Sequence, residues 1–160
     1  MKFREMRRNK QLMTQQQCTE ILQRNTAGVL SVYGDGGYPY GVPLSYVYSD
    51  GKIFFHCAKE GHKLDAIQNC DKVSFCVIDE DRIVPQEYTS YFRSVIVFGR
   101  ARIITDEREK LEALRLLAMR YAPDDGEQNR RQVINDGLDR LYMVEISAEH
   151  ISGKQARELI

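Results

Sequence analysis

Short β-forming runs separated by tight turns fill the first hundred residues, and they constrain the fold more than any other feature of the sequence. Gly34-Asp35-Gly36-Gly37 is a strong turn signal, and Asp50-Gly51 lies between two extended runs as in a hairpin. Turns this short join antiparallel strands, whereas parallel strands need longer crossovers. The pattern therefore predicts a mainly β fold, an antiparallel barrel with peripheral helices, rather than a doubly wound sheet.

Six segments are predicted as strands. They cover residues 27–32, 38–48, 52–57, 72–78, 90–104 and 141–146. Pro39 and Pro43 predict that the second of these strands is bulged, bent or at an edge, because proline removes a ladder donor. Gly99 is a predicted bulge, and the acidic residues 79–81 are predicted to form a loop.

Four helices are predicted around these strands. Thr14 is placed as the cap of a short helix whose apolar face carries Cys18, Ile21 and Leu22. The others cover residues 61–69, a segment opened by Asp106, and residues 127–136. We expect one domain over residues 1–160, with residues 1–12 as an N-terminal arm and residues 147–160 as a C-terminal tail.

The charge balance and the cysteines narrow the functional classes. Lysine plus arginine and aspartate plus glutamate number 23 each, so no general field attracts nucleic acid or an anionic membrane. No apolar run is long enough for a membrane span or a signal peptide. The four cysteines fit neither a zinc site nor a disulfide framework, so we expect free thiols in the cytoplasm.

The segment from residue 54 to residue 64 is the most informative for chemistry. A strand ends, the chain turns at Gly61, and a helix begins at or near His62. A helix start offers unpaired N–H groups, and Lys59, His62 and Lys63 add cations around them. This predicts a phosphate site, with a solvated basic turn beside Glu60 as the alternative.

A second segment, Tyr40-Gly41-Val42-Pro43-Leu44-Ser45-Tyr46, has a proline at its centre. Proline leaves backbone groups outside the ladder, and these could pair with the edge of a planar heteroaromatic ring. The alternative is that these aromatic residues belong to the core. No glycine-rich dinucleotide or nucleotide phosphate loop occurs in the sequence.

The motifs FFHCAKEGHKLDAI and YFRSVIVFGRA, in this order with PYGVPLSYVY, resemble the FMN-binding split-barrel proteins related to pyridoxamine 5′-phosphate oxidase. Within that family the sequence is most similar to the nitroimidazole-resistance branch, over roughly residues 5–157. The resemblance implies a six-stranded split barrel with flanking helices. It also implies a homodimer with two FMN sites at the dimer interface.

The resemblance also implies roles for individual residues. Gly61, His62 and Lys63 would hold the phosphate, Val42, Pro43, Leu44 and Ser45 would lie against the isoalloxazine ring, and His56, Cys57 and Ala58 would line the ribityl chain and the ring face. Arg93, Ser94 and Lys154 would reach the flavin from the partner subunit. His56 is the candidate catalytic residue, with a core histidine as the alternative. A metal site built from His56, Cys57 and His62 is disfavoured for lack of regular ligand spacing.

The function expected from this resemblance is an FMN-dependent oxidoreductase. Its acceptor would be a small aromatic molecule, either a nitroaromatic or nitroimidazole compound or a quinone-like one. A flavin carrier or redox sensor without turnover is the alternative, and a haem-binding protein using a histidine is a third. The sequence contains no tryptophan, whereas the pyridoxamine oxidase branch ends in a motif with arginine and tryptophan, which argues against vitamin B6 oxidation.

Overall fold

The computed structural model describes residues 2–160, and its main element is one seven-stranded antiparallel sheet. The strands are β1 (Ala27–Tyr33), β2 (Pro39–Ser45), β3 (Val47–Ser49), β4 (Lys52–Cys57), β5 (Lys72–Val84), β6 (Thr89–Ile103) and β7 (Tyr142–Gln155). The helices are α1 (Gln15–Arg24), α2 (His62–Asn69), α3 (Glu107–Tyr121) and α4 (Glu127–Gly137). The strand order is β2-β1-β5-β6-β7-β4-β3, which confirms the predicted antiparallel β architecture with flanking helices.

The sheet has seven strands rather than six because the predicted strand over residues 38–48 divides at Tyr46. Tyr46 is fully buried. Its backbone N–H donates to the Thr26 carbonyl and its hydroxyl donates to the Leu22 carbonyl. These bonds hold a corner between β2 and β3, which are the two edges of the sheet. A single residue therefore brings the two free edges together at one end, as a split barrel requires.

The barrel interior is the main hydrophobic core. Alternate residues of each long strand point into it, and Leu30, Phe55, Phe75 and Val97 are fully buried there. Alternation of this kind follows from the two-residue period of a strand. The opposite face of the sheet, here called the outward face, carries the other residues of the same strands.

Helix α1 contributes to this core. The Thr14 side chain accepts a hydrogen bond from the Gln17 N–H, and the Gln17 side chain accepts one from the Thr14 N–H. This reciprocal cap fixes the first turn. Cys18, Ile21 and Leu22 are buried in the core, so the predicted cap and apolar face are both confirmed.

Helix α3 covers part of the outward face near the start of β7. Leu114 and Leu117 pack there against Phe54 of β4 and Met143 of β7. Asp106 begins the helix by accepting a hydrogen bond from the Glu109 N–H at 2.9 Å. This second cluster leaves the outward face of β1, β5 and β6 without a covering helix among residues 2–160.

The predicted acidic loop over residues 79–81 is wrong, because β5 continues to Val84. Asp79 lies where the register with β6 shifts, between Ile78 and Glu80. Arg24 and Asn25 donate hydrogen bonds to its carboxylate. The bond from the Arg24 guanidinium is the main reason that the pKa of Asp79 lies below its usual range. The carboxylate thus has partners from the last residue of α1 and from its C-cap.

The final strand is also longer than predicted. It continues past residue 146, through most of the expected tail, to Gln155. The continuation is held by pairing with β6, which extends to Arg93 opposite Gln155, and by the burial of Gly153 and Gln155. The predicted bulge at Gly99 is confirmed by a register shift between Phe98 and Gly99. A Cβ atom at Gly99 would lie 2.4 Å from the Ser147 carbonyl oxygen, so only glycine fits this position.

Candidate functional site

The start of α2, residues 61–63, is here called the cradle. Gly61 has a φ of 130°, a conformation that favours glycine, and a Cβ there would meet nothing within 4 Å. Its carbonyl accepts from the N–H groups of Leu64 and Asp65. The N–H groups of His62 and Lys63 precede the first helical bonds and have no acceptor in the described chain. Two donors at the positive end of the helix dipole are therefore free.

The His62 side chain turns away from this cradle toward the β1–β2 turn. Its Nε2 accepts the Asp35 N–H at 3.2 Å, and its ring stacks on Tyr40 with centroids 4.2 Å apart and an interplanar angle of 21°. The same nitrogen lies 3.8 Å from Asp35 Oδ2. In this conformation His62 offers its backbone N–H to the cradle, and its predicted role as a cation stays a prediction.

Lys63 lies close enough to Cys57 to act on that thiol, and its predicted role as a cation for a phosphate stays a prediction. Burial raises the pKa of Cys57, and the positive charge of Lys63 offsets this only in part. The thiol is therefore protonated at neutral pH and makes a poor nucleophile. Cys57 is buried in the barrel core.

His56 and Cys57 point to opposite faces of β4. His56 is exposed on the outward face, beside its strand partner Met143. Its ring lies edge-on to Tyr121 at the end of α3, with centroids 6.4 Å apart. His56 is thus a surface residue beside an aromatic ring and not a core histidine.

The β2 segment has one side in the core and one side exposed. Val42 and Leu44 pack against the barrel core, whereas Pro43 and Ser45 are exposed. β2 is an edge strand that pairs only with β1, which confirms the expectation drawn from its prolines. The backbone groups on its free edge remain available to a ligand.

Arg93, Ser94 and Lys154 form a separate group on β6 and β7. Ser94 lies directly opposite Lys154, and the Lys154 ammonium lies 5.1 Å from the centre of the Phe92 ring. An Arg93 Nη1 atom lies 3.4 Å from Glu80 Oε2 and 3.9 Å from Asp79 Oδ2. Arg93 is therefore held by acidic residues of its own chain.

Of the three predicted groups, the structure brings the start of α2 close to the β2 segment. The third group, Arg93, Ser94 and Lys154, lies elsewhere. The Tyr40–His62 stack places the start of α2 beside β2. Lys154 lies near the other end of β7 from Tyr142, the strand partner of Cys57. These positions are twelve residues apart (154 − 142), roughly 40 Å along a strand. Within one chain, the Lys154 group does not reach the start of α2 along this strand.

The family of the chain follows from its sequence. Residues 14–155 match the family model described as pyridoxamine 5′-phosphate oxidase. The chain belongs to the pyridoxamine 5′-phosphate oxidase family. No curated protein matches the chain in sequence.

Solved structures share the fold of this family member. A conserved hypothetical protein from Mycobacterium tuberculosis is 19% identical, with a TM-score of 0.81 over 97% of this chain and 92% of that one. A candidate 5-nitroimidazole antibiotic resistance protein from Bacteroides thetaiotaomicron is 20% identical, with a TM-score of 0.75 over 90% and 86%. An FAD-binding protein from Mycobacterium smegmatis is 20% identical, with a TM-score of 0.66 over 91% and 98%. At these identities the likeness establishes the fold alone.

Three residues of the candidate site were missed by the sequence analysis. Asp35 and Tyr40 hold the His62 ring, and Tyr121 lies against His56. Tyr40 belongs to the β2 segment, and it lies on the same face of the strand as Val42, two residues later. This shared face was the only sign in the sequence that Tyr40 lies near the site. Asp35 and Tyr121 come near the site only through long-range packing, for which the sequence gives no local sign.

Proposed function

We propose that the protein binds FMN at the start of α2 and works as a flavin-dependent oxidoreductase. The observation that carries the proposal is the pair of free N–H groups in the cradle, residues 61–63, beside β2 through the Tyr40–His62 stack. Flavin is also the cofactor supported by membership of the pyridoxamine 5′-phosphate oxidase family. The acceptor is a nitroaromatic, nitroimidazole or quinone-like molecule.

The residues present fit the two ends of this cofactor. The free N–H groups of His62 and Lys63 and the Lys63 ammonium suit a phosphate, because charge-assisted bonds to anions are the stronger ones. The unpaired backbone groups of residues 42–45 on the edge of β2 suit the polar rim of the flavin ring. When bound, FMN supplies the redox chemistry, and the chain supplies binding and orientation. His56 would contact the acceptor.

A second copy of the chain completes the proposed site. The outward face exposes apolar side chains of adjacent strands, with Ile78 62% and Ile96 and Phe98 each 40% exposed. An apolar patch of this kind marks an interaction surface. Lys154 lies far along β7 from the end of β4. It can therefore contact the flavin, as predicted, only if it comes from the partner subunit. The proposed active form is therefore a homodimer.

The proposed location is the cytoplasm. All four cysteines are free, as expected in a reducing compartment. Among residues 2–160, no helix combines the length and the apolar character needed to cross a lipid bilayer. The same residues contain no cluster of three or more histidine, cysteine or acidic side chains arranged to hold a metal ion.

The flavin proposal is tested with Lys63→Ala. Removal of one charge-assisted contact is expected to weaken FMN binding by about 1.5–3 kcal/mol, roughly 10- to 150-fold. Lys2→Ala is the matched control, because this exposed lysine pairs with Glu5 and lies outside the predicted phosphate segment. The measurement is titration of the protein with FMN, followed by flavin fluorescence. Equal dissociation constants for the two variants would reject the cradle as the phosphate site.

Turnover separates the oxidoreductase from a flavin carrier or sensor. The FMN-loaded protein is reduced anaerobically with NADPH and then mixed with 2-nitroimidazole or menadione. The proposal expects the flavin absorbance to be lost and then to return. A protein that binds FMN tightly but completes neither half of this cycle would be a carrier or sensor.

A further inference from the structure

A cleft between α3 and α4 shares no residue with the cradle. Its volume is about 370 Å³, within the usual range for small-molecule sites. None of the predicted flavin residues lines it, and neither do the exposed apolar residues of the proposed dimer interface. Its charged lining consists of four arginines and two glutamates, which are Arg108, Arg115, Arg130, Arg131, Glu112 and Glu127.

The lining follows the helical period on both sides of the cleft. Positions 108, 111, 112 and 115 are three or four residues apart in succession or adjacent, so they share one face of α3. Positions 127, 130, 131 and 134 share one face of α4 in the same way. Leu111 and Ile134 belong to these two faces and add apolar surface beside the charged side chains.

The charges that line the cleft do not balance. Glu127 forms ion pairs with Arg130 and Arg131, each at 3.2 Å. Even with Glu112 counted, four arginines and two glutamates leave an excess of two positive charges (4 − 2). Arg108 and Arg115 take part in no ion pair within residues 2–160.

The nearest acidic residues in the chain are engaged elsewhere. Glu109, next to Arg108, accepts a hydrogen bond from Arg102 of β6. Asp125, just before α4, accepts one from the Asn129 side chain. Neither of these two carboxylates lines the cleft, so the excess of positive charge is a property of the cleft itself.

Arg130 is a buried and fixed part of the cleft. Only 9% of its side chain is exposed. Its Nη1 donates to Glu127, and its Nη2 donates to the carbonyls of Ala122 and Asp125 at 3.2 and 2.8 Å. Its Nε–H is buried without an acceptor in residues 2–160, which costs free energy. A guanidinium held in this way binds an anion with little further loss of side-chain freedom.

The guanidinium groups of the two helices act on the same space. The hydrogen bond from Arg131 is the main reason that the pKa of Glu127 lies below its ordinary value, and the positive charge of Arg115 on α3 adds to the effect. Arg115 therefore lies close to the charged face of α4, although it makes no ion pair there.

We propose that this cleft binds the phosphate monoester group of a small organic molecule. The planar N–H donors of a guanidinium match the oxygens of a phosphate. A phosphate monoester carries a charge of about −1.5 to −2 at neutral pH, which matches the excess of two positive charges, whereas a carboxylate or a sulfate ester carries one negative charge. Leu111 and Ile134 suit the organic part. The site needs no flavin, so it is independent of the proposed function.

The test is a calorimetric titration with phenyl phosphate and with phenyl sulfate, which has the same shape and one negative charge less. The flavin-free Lys63→Ala protein is used, because the cradle is itself a proposed phosphate site. Phenyl phosphate is expected to bind about fivefold more tightly at about pH 8. The difference should largely disappear at about pH 5, because the second pKa of the phosphate is about 6.

A second pair of variants, made in the same protein, locates the site. Arg115→Gln should weaken the binding of phenyl phosphate about fivefold, because one unpaired guanidinium is lost. Arg7→Gln is the matched control, since it makes the same change at an exposed arginine outside the cleft and should leave binding unchanged.

Four results would overturn the proposal: no saturable binding, equal binding of the two esters at about pH 8, equal affinities of Arg115→Gln and Arg7→Gln, or inorganic phosphate bound as tightly as phenyl phosphate. The last of these would indicate a site for the free ion. Because the titrations contain no flavin, an unaltered protein that fails to bind FMN would refute the proposed function and leave this result standing.

Discussion

At the scale of single residues, Glu145 shows how the protein keeps a buried carboxylate charged. Only 4% of this residue is exposed. Burial by itself would raise its pKa, but hydrogen bonds from Arg102, Lys52 and Ser147 outweigh that effect and lower the pKa from the ordinary 4.5. The bonds join β4, β6 and β7, so this carboxylate links three strands of the sheet.

The expected consequence is a pH-dependent contribution to stability. A carboxyl with a lowered pKa in the folded state stabilises the fold fully above its unfolded pKa, and this is lost as the pH falls through the folded pKa. Glu145→Gln should therefore lower the free energy of unfolding by about 1–3 kcal/mol at pH 7. The difference should shrink below about pH 4. Urea unfolding at several pH values measures both.

The control for this variant is Glu149→Gln. Glu149 also binds an arginine, but 42% of its side chain is exposed, and exposed pairs contribute about 0–1 kcal/mol. Losses of equal size in the two variants would contradict the assignment of a special role to the buried carboxylate.

At the scale of elements, the cap of α1 holds one wall of the barrel core. Thr14→Ala removes the hydrogen bond to the Gln17 N–H and is expected to cost about 1 kcal/mol of stability. The exposed Gln16→Ala is the comparison, with an expected effect within about 0.5 kcal/mol. Thermal unfolding followed by circular dichroism measures both. Equal melting temperatures would show that the cap does not stabilise the protein.

The elements also show what a sequence can predict. The cap of α1 and strand β4 were predicted because turn and capping signals are local. The β5 bulge at Asp79 was missed because its partners Arg24 and Asn25 are distant in the chain. For the same reason the candidate phosphate segment was predicted as a helix start, whereas the orientation of His62 was not, since it depends on the β1–β2 turn.

At the scale of the whole molecule, the proposed homodimer forms through the outward face. Ile96→Glu places a charge at the centre of the proposed interface, between strand neighbours Cys76 and Ser152, and is expected to give monomers. Val133→Glu alters another exposed apolar residue, on α4, and should leave the proposed dimer intact. Sedimentation equilibrium distinguishes the 18.5 kDa chain from its dimer. An unaltered protein that sediments as a monomer with FMN bound would refute the dimer.

The prolines of β2 have a consequence for self-association. An open sheet edge is a template on which strands of other molecules can add and aggregate. Pro39 and Pro43 remove two of the seven backbone N–H groups that β2 would otherwise carry. The other open edge, β3, is only three residues long. Both open edges of the split barrel therefore disfavour the addition of strands from other molecules.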